Sequence, residues 1–401
     1  MPIDHRRGAG IATWFHDPTP ITNQLTDTPY VTIDDSLQLR SSSTFGQELP
    51  PRPHPGRAEG RLDALLVASW VAPRTTRIGL IPTVTTTHTE PFHVATALQT
   101  LDHISLGRAG WQLRFSAGSA EAAAFGRRSA PEIDLDAVLA GRPDAGLDGL
   151  IDDAADAAEV ARRLWDSWES DAIIRDVANG RFLDRDRLHH IDFASERLSV
   201  IGPSIVPGSP QGQLPITLLA HSAHIFALAA RTADVVFITP ENDAPGTGAS
   251  RGKNAAQLMA EVRAAEAVED RAATGLAPLR IVADLVVGLD TATEPGSARL
   301  RRLDDLLETP SSGDARIVAG SAEELADLIA GWHEAGVEGV RLRPLALPDD
   351  LERISSDLLP SIRARIPELP AGDGIGVRLR DRFGLPPAIN RYTRAREERV
   401  A

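Results

Sequence analysis

Strands alternating with helices through most of the 401 residues predict an α/β fold on a parallel sheet, closed as a TIM (β/α)8 barrel. Three observations lead there. From about Arg61 onward, helical periods alternate with short apolar runs. No Gly-x-Gly-x-x-Gly stands at a strand-to-helix turn, as a dinucleotide-binding open sheet needs. Several strands also run into polar residues at their C-terminal ends, where barrel enzymes build their sites: Asp34-Asp35-Ser36, Thr83 to His88, Ser116, His221-Ser222 and Thr239.

The elements follow in order. A first strand is sought in residues 8 to 15, and Val31-Thr32-Ile33 is the next. Leu62, Leu65, Leu66 and Trp70 share one helical face, and Pro73 closes that helix. Residues 77 to 81 read as a strand. Glu90-Pro91 opens a helix whose inner face is Ala95, Leu98 and Leu101. After Gly107 a strand runs over residues 109 to 115. The longest helix is expected over 152 to 168, with Ala157, Val160, Ala161, Leu164, Trp165 and Trp168 at i, i+3, i+4, i+7 spacing. Further strands are placed at 216–220, 234–238, 279–287 and 339–343, with helices beginning near Ser222, Asn254 and Ser321. Ser321 and Glu324 have capping-box spacing ahead of the stripe Leu325, Leu328, Ile329 and Trp332. The count is seven strands plus the doubtful first, so the first βα unit is shortened or divergent. The chain reads as one domain with insertions near 40–60, 127–149, 170–213 and 240–254, and a tail from about 367.

Composition narrows the class. A formal net charge of −14 without a basic block argues against nucleic acid or an anionic membrane as partner. No window approaches ~18 consecutive apolar residues, and the charged N-terminus lacks an apolar core after it, so neither a membrane span nor a secretory signal is expected. Zero cysteine excludes disulfides, thiolate metal sites and cysteine nucleophiles. The expectation is a soluble, cytoplasmic enzyme.

Four segments bear on chemistry. Thr83 to His93 places a run of hydroxyls and an imidazole between a strand and a helix start, which suits hydrogen bonding to a heteroaromatic ring or an anion. A β-branched strand end with ordinary helix capping has the same pattern. His88, Glu90, His93 and His103 are a poor metal set, because Pro91 interrupts their register. Ser222, between His221 and His224, is a phosphate cradle or a plain N-cap. Gly246 to Asn254 misses P-loop spacing by one residue and puts Asn254 where a Mg²⁺-binding hydroxyl belongs. Asp34-Asp35 is read as one hydrogen-bonding carboxylate at a strand end rather than an acid/base pair. With no Gly-x-Ser-x-Gly turn either, the residues describe a polar barrel mouth for an anionic ligand without a nucleophile. That pattern suits an enzyme whose cofactor carries the reactivity.

The stretch from Ile78-Gly79-Leu80 through Thr83-Val84-Thr85-Thr86-Thr87, Glu90-Pro91-Phe92 and Leu101-Asp102-His103-Ile104-Ser105-Leu106-Gly107-Arg108-Ala109-Gly110-Trp111 resembles the bacterial luciferase-like monooxygenases, and within them the nitrilotriacetate monooxygenase branch. Leu164-Trp165-Asp166-Ser167-Trp168, Gly202-Pro203 with Pro210-Gln211-Gly212, Ala229-Ala230-Arg231 and Leu379-Arg380-Asp381-Arg382-Phe383-Gly384-Leu385-Pro386 extend the likeness to about Tyr392. The resemblance implies a TIM barrel with FMN at its C-terminal mouth, reduced FMN delivered by a separate flavin reductase, a small-molecule substrate and a homodimer. Oxygenation would proceed through a C4a-(hydro)peroxyflavin. A deazaflavin-dependent oxidoreductase, or a flavin-poor partner subunit without turnover, is the alternative. By position, Asp35 matches the flavin-contacting aspartate, Thr85 the Ser or Thr beside the isoalloxazine, Gln112 the usual asparagine and Ser222 the phosphate-binding serine. His88, His93 and His221 are assigned to the substrate pocket, and no catalytic residue or metal is assigned. The chain departs from the pattern at Leu147 and Ile151, where His and Tyr are usual, and at Ala220 and Ile225, where glycines are common.

Overall fold

The computed structural model describes residues 28–37, 62–241, 252–307, 311, 315–368 and 374–400. The strand sought in residues 8 to 15 and most of the loop before Asn254 lie outside them. The chain divides into two compact units. Among the described residues the first comprises 30–37, 63–217 and 374–400, and the second comprises 28–29, 62, 218–241, 252–307, 311 and 315–368.

The first unit opens with β1 (Tyr30–Ile33), α1 (Ala64–Val71), β2 (Gly79–Thr85), α2 (Pro91–Ser105), β3 (Trp111–Arg114) and α3 (Ala145–Asp166). β4 (Ile216–Leu219) is the strand in which the chain passes to the second unit. All pairings here are parallel: Ile33 opposite Pro82, Thr83 opposite Gln112, Gln112 opposite Thr217. β2 is longer than the sequence suggests and shifted toward its C-terminus, so Thr83 and Thr85 stand on the strand rather than beyond it.

α1 forms where expected, capped by Asp63, but its phase differs. Ala64, Val67, Ala68 and Val71 are the buried face, while Leu66 and Trp70 are 69% and 49% exposed. Small side chains let this helix lie close, and Trp70 is instead covered by the Arg74 guanidinium, 3.5 Å from the ring centre. α2 matches expectation, with Ala95, Leu98 and Leu101 fully buried. α3 starts earlier than expected, at the Asp144 cap, and the stretch before it holds short helices at Ser119–Phe125 and Leu135–Leu139. Its apolar stripe is as predicted from Ala157 to Trp165, but the helix ends at Asp166, so Trp168 lies beyond it and is half-buried; Trp165 donates from Nε1 to the Ala95 carbonyl of α2 at 3.1 Å. The excursion at 170–213 contains two small antiparallel hairpins.

The second unit contains α4 (Ala223–Thr232), β5 (Val235–Ile238), α5 (Ala255–Val268), β6 (Arg280–Leu289), α6 (Gly296–Leu307), β7 (Arg316–Gly320), α7 (Ala322–Glu334) and β8 (Gly339–Pro344). β6 pairs in parallel with β5, β7 and β8. β7 was not expected. Only Ile317 and Val318 give it β-branched character, and all five residues stay partly exposed, so it lacks the buried apolar run that marks its neighbours. The capping boxes Asn254–Gln257 and Ser321–Glu324 both form.

The chain then returns to the first unit, where its last segment meets the turn between α2 and β3. That turn is a closed polar assembly. Arg108, 3% exposed, donates to the carbonyls of Ser105, Ile78, Ala72 and Thr75 and to the Thr75 hydroxyl. Burial, with the Arg382 guanidinium nearby, lowers its pKa to about 10, so it remains charged near neutrality. Asp102, fully buried, accepts from the Gln211 backbone and side chain and from Ala109 N–H, and the Gln211 side-chain Oε1 accepts the Arg380 N–H. Leu106 and Gly107 both adopt positive φ to make the turn. At Gly110 a Cβ would come within 2.8 Å of a Leu379 methyl and 3.1 Å of Ile81, so a larger residue would have to displace its buried neighbours.

Arg108→Met strands several buried carbonyls, and a loss of about 3 kcal/mol or more is expected in denaturant unfolding. Arg108→Lys restores less than half of that loss, because an ammonium lacks the planar fork of donors.

Candidate cofactor site at the strand ends

Register puts Thr83, Gln112 and Thr217 in one lateral row across β2, β3 and β4, with their side chains on the same face. All three are buried. Thr217 Oγ1 lies 3.5 Å from the Trp111 carbonyl, whereas Thr83 Oγ1 is buried with no hydrogen-bond partner. A buried hydroxyl left so costs about 1–3 kcal/mol unless something binds it. The next layer toward the C-terminal ends holds Thr85 and Arg114. Arg114 Nη1 donates to the Asp35 carbonyl at 2.9 Å and lies 3.7 Å from the exposed Asp34 carboxylate.

Asp35 follows β1, and its oxygens accept the N–H groups of Ser36 at 2.7 Å and Ala64 at 2.9 Å. Those bonds tie the strand end to the first turn of α1 and fix the carboxylate's direction. Three hydroxyls of the threonine run serve the backbone: Thr86 donates to Arg114 O, Thr89 to Thr85 O, and Thr87 accepts from Ser116 N–H. For these three residues the strand-end and capping explanation is the correct one.

His88 is different. It holds a left-handed backbone, φ 70°, and its ring stacks on Phe125 with centroids 5.5 Å apart. The side chain is buried and Nδ1 has no hydrogen-bond partner. Burial, reinforced by the Arg128 and Arg127 guanidiniums against the opposing Asp153, lowers its pKa, so the imidazole is neutral near pH 7. Arg128 forks onto Asp153 at 3.2 and 2.6 Å, and Arg127 pairs with Glu90 at 3.1 Å. His93 is exposed on the first turn of α2, apart from this arrangement. Nε2 of His103 sits 3.1 Å from the Pro207 carbonyl. Among the described residues no group of three or more His, Asp or Glu side chains is placed to hold a metal ion.

Ser222 and His221 belong to the second unit. Ser222 occupies the N-cap position of α4 without making a side-chain capping bond, so its hydroxyl is not used to start the helix. His221 is exposed, with Nδ1 3.1 Å from Thr239 Oγ1. Leu147 and Ile151 are buried on the first two turns of α3, and Ala220 is buried, its N–H donating to Phe237 O. Asp35, Thr85 and Gln112 therefore share three neighbouring strand ends in one unit, and Ser222 stands at a helix N-terminus in the other. The sequence reading did not single out Thr217 or Arg114. A threonine breaking the apolar run of β4 and an arginine closing β3 were the available signals.

The donors of each unit, taken by themselves, fit a part of a flavin. An unpartnered buried hydroxyl and imidazole nitrogen, with a buried amide, suit the polar edge of a heteroaromatic ring. A helix N-terminus with an unused serine hydroxyl suits a phosphate.

The sequence pattern of the family described as luciferase-like monooxygenase matches residues 52–292. The chain is 27% identical over 413 aligned positions to N-acetyl-S-(2-succino)cysteine monooxygenase of Bacillus subtilis (strain 168), covering 90% of this chain and 87% of that one. It is 28% identical to nitrilotriacetate monooxygenase component A of Aminobacter aminovorans, over 81% and 79% of the two chains. Its fold is shared with EDTA monooxygenase from Chelativorans sp. BNC1, at TM-score 0.68 and 19% identity over 94% and 93% of the chains. The fold is thus of the TIM-barrel type, and the chain belongs to the luciferase-like monooxygenase family. It is a flavin-dependent oxidoreductase that oxygenates a small substrate with reduced flavin and O₂. Among the described residues no helix is long and apolar enough to cross a membrane.

The lowered pKa of His88 has a signed consequence. The unfolded chain takes up a proton near pH 6.5 before the folded one does, so this contribution to stability is full above that pH and declines below it. His88→Asn, which tolerates the positive φ, should reduce the slope of unfolding midpoint against pH below about 6.5.

Proposed function

We propose that this chain is the oxygenating component of a two-component, FMN-dependent monooxygenase, with a separate flavin reductase supplying the reduced cofactor. The chief support is the buried Thr83–Gln112–Thr217 row, whose Thr83 hydroxyl has no protein partner. Asp35, Thr85 and Gln112 hold the ring, and Ser222 with the N-terminal N–H groups of α4 holds the phosphate. Bound in its reduced form, FMN supplies the electrons that activate O₂.

The chain's own part is binding, orientation and proton handling. Two backbone N–H groups hold Asp35 and set the direction of its carboxylate. Thr83 donates a hydrogen bond that no protein group accepts. His88, neutral and stacked on Phe125, accepts or returns a proton on the substrate side. His93 and His221, both exposed, complete the histidines assigned to that side. A homodimer in the cytoplasm is the working form.

Ser222→Ala is expected to weaken FMN binding about tenfold while leaving riboflavin affinity within about twofold. Asp35→Ala should weaken both flavins. Fluorescence titration of each variant reads this directly, and unchanged FMN affinity in both variants contradicts the site.

A further inference from the structure

The chain that leaves β3 folds back across the end of β2. Ser116 N–H donates to Thr87 Oγ1 at 2.9 Å, and Gly118 N–H donates to Ser116 Oγ at 3.2 Å. The short helix Ser119–Phe125 follows, and its last residue stacks on His88 with an interplanar angle of 18°. Gly126, at φ 65°, then turns the chain toward two arginines. Arg127 donates to the His88 carbonyl at 3.4 Å and pairs with Glu90, the N-cap residue of α2. Arg128 forks onto Asp153 of α3. Residues 118–128 are thus fastened to the loop after β2, to the start of α2 and to α3.

Little apolar surface holds this segment down. The helix buries only Glu121 and Ala122, and its other residues are exposed. A segment with so few buried apolar contacts opens far more readily than the core elements beneath it. The Arg127–Glu90 pair has both side chains more than half exposed, where water and salt weaken it. Arg128–Asp153 is the firmer fastening, since the Asp153 side chain is only 9% exposed. Beneath the segment, His88 is 5% exposed and its Nδ1 has no partner, whereas Phe125 is 42% exposed. Of the two stacked rings Phe125 is therefore the outer one. A polar nitrogen kept unpartnered under a weakly held cover is placed to be reached when the cover lifts.

We propose that residues 118–128 form a lid over the end of β2, with Phe125 as its closing residue and the Arg127–Glu90 and Arg128–Asp153 pairs as its latch. Closed, the lid keeps water from His88. Open, it lets a small molecule reach Nδ1. The inference goes beyond the oxygenase reading and rests on it at one point, that the molecule entering beneath the lid is the substrate. Oxygenation with reduced flavin and O₂ needs a site from which water is excluded, and this segment supplies that exclusion on the His88 side. Phe125, Arg127 and Arg128 are positioning residues: they set when His88 is covered and take no step in the chemistry.

The test reads the accessibility of His88 in the full chain, without flavin or turnover. Diethyl pyrocarbonate modifies neutral imidazoles, and peptide mass spectrometry gives separate rates for covered His88 and exposed His93. In the wild type His88 is expected to react at least about tenfold more slowly than His93. Arg127→Gln/Arg128→Gln keeps Phe125 but loses the latch, and should raise the His88 rate about fivefold or more with His93 unchanged. Phe125→Ala should raise it at least as much. Phe125→Tyr and Arg127→Lys/Arg128→Lys should restore most of the protection, and matched unfolding midpoints separate an open lid from a damaged fold. Equal rates at His88 and His93 in the wild type overturn the proposal. So does a His88 rate unchanged in the latch variant, even if Phe125→Ala raises it, because Phe125 is then a fixed cover. Flavin titration of the same wild type keeps the two readings apart: no flavin binding overturns the oxygenase reading, while the His88 rates alone decide the lid.

Discussion

The register of the strand-end residues depends on one buried arginine. Arg108 sits in the turn between α2 and β3 and gathers carbonyls from the end of α1, the loop after it and the start of β2. Its own carbonyl accepts Leu80 N–H, and Gly110 N–H donates back to Leu80 O. These bonds fix where β3 begins against β2. A slip of one residue would send Gln112 to the opposite face and break the row with Thr83 and Thr217. Asp102 and Gln211 close the same turn from its other side. The longest recognisable motif in the sequence, Leu101 to Trp111, is thus mainly a structural device that sets up a site elsewhere.

That division explains how much the sequence could disclose. Helices with a full apolar stripe, such as α2 and α7, were legible because burial there follows the 3.6-residue period. α1 misled because its buried face is alanine and valine, while the larger Leu66 and Trp70 point outward. Hydrophobicity alone ranks those two faces the wrong way round. β7 escaped because a strand with five half-exposed residues has neither a buried run nor a clean alternation. The irregular reading of 127–149 overlooked a short helix capped by Asp134 and the first turn of α3 capped by Asp144, each started by a single aspartate.

The site was legible by composition more than by arrangement. A polar run at the end of a strand was visible, yet which hydroxyls serve the backbone and which stay unused follows from pairing. Thr86, Thr87 and Thr89 complete turns, whereas Thr83, nearest the strand interior, is buried without a partner. His88 likewise reads as one histidine among several until its left-handed backbone and its stacking on Phe125 set it apart from exposed His93.

An anaerobic titration of the full chain with reduced FMN tests the central claim most directly, namely that these strand ends hold a reduced flavin. The account predicts saturable binding at one flavin per chain, tighter for reduced FMN than for reduced riboflavin because the phosphate contributes at Ser222. No binding of FMN in either the reduced or the oxidised state would contradict it. The unpartnered Thr83 hydroxyl would then require a different ligand.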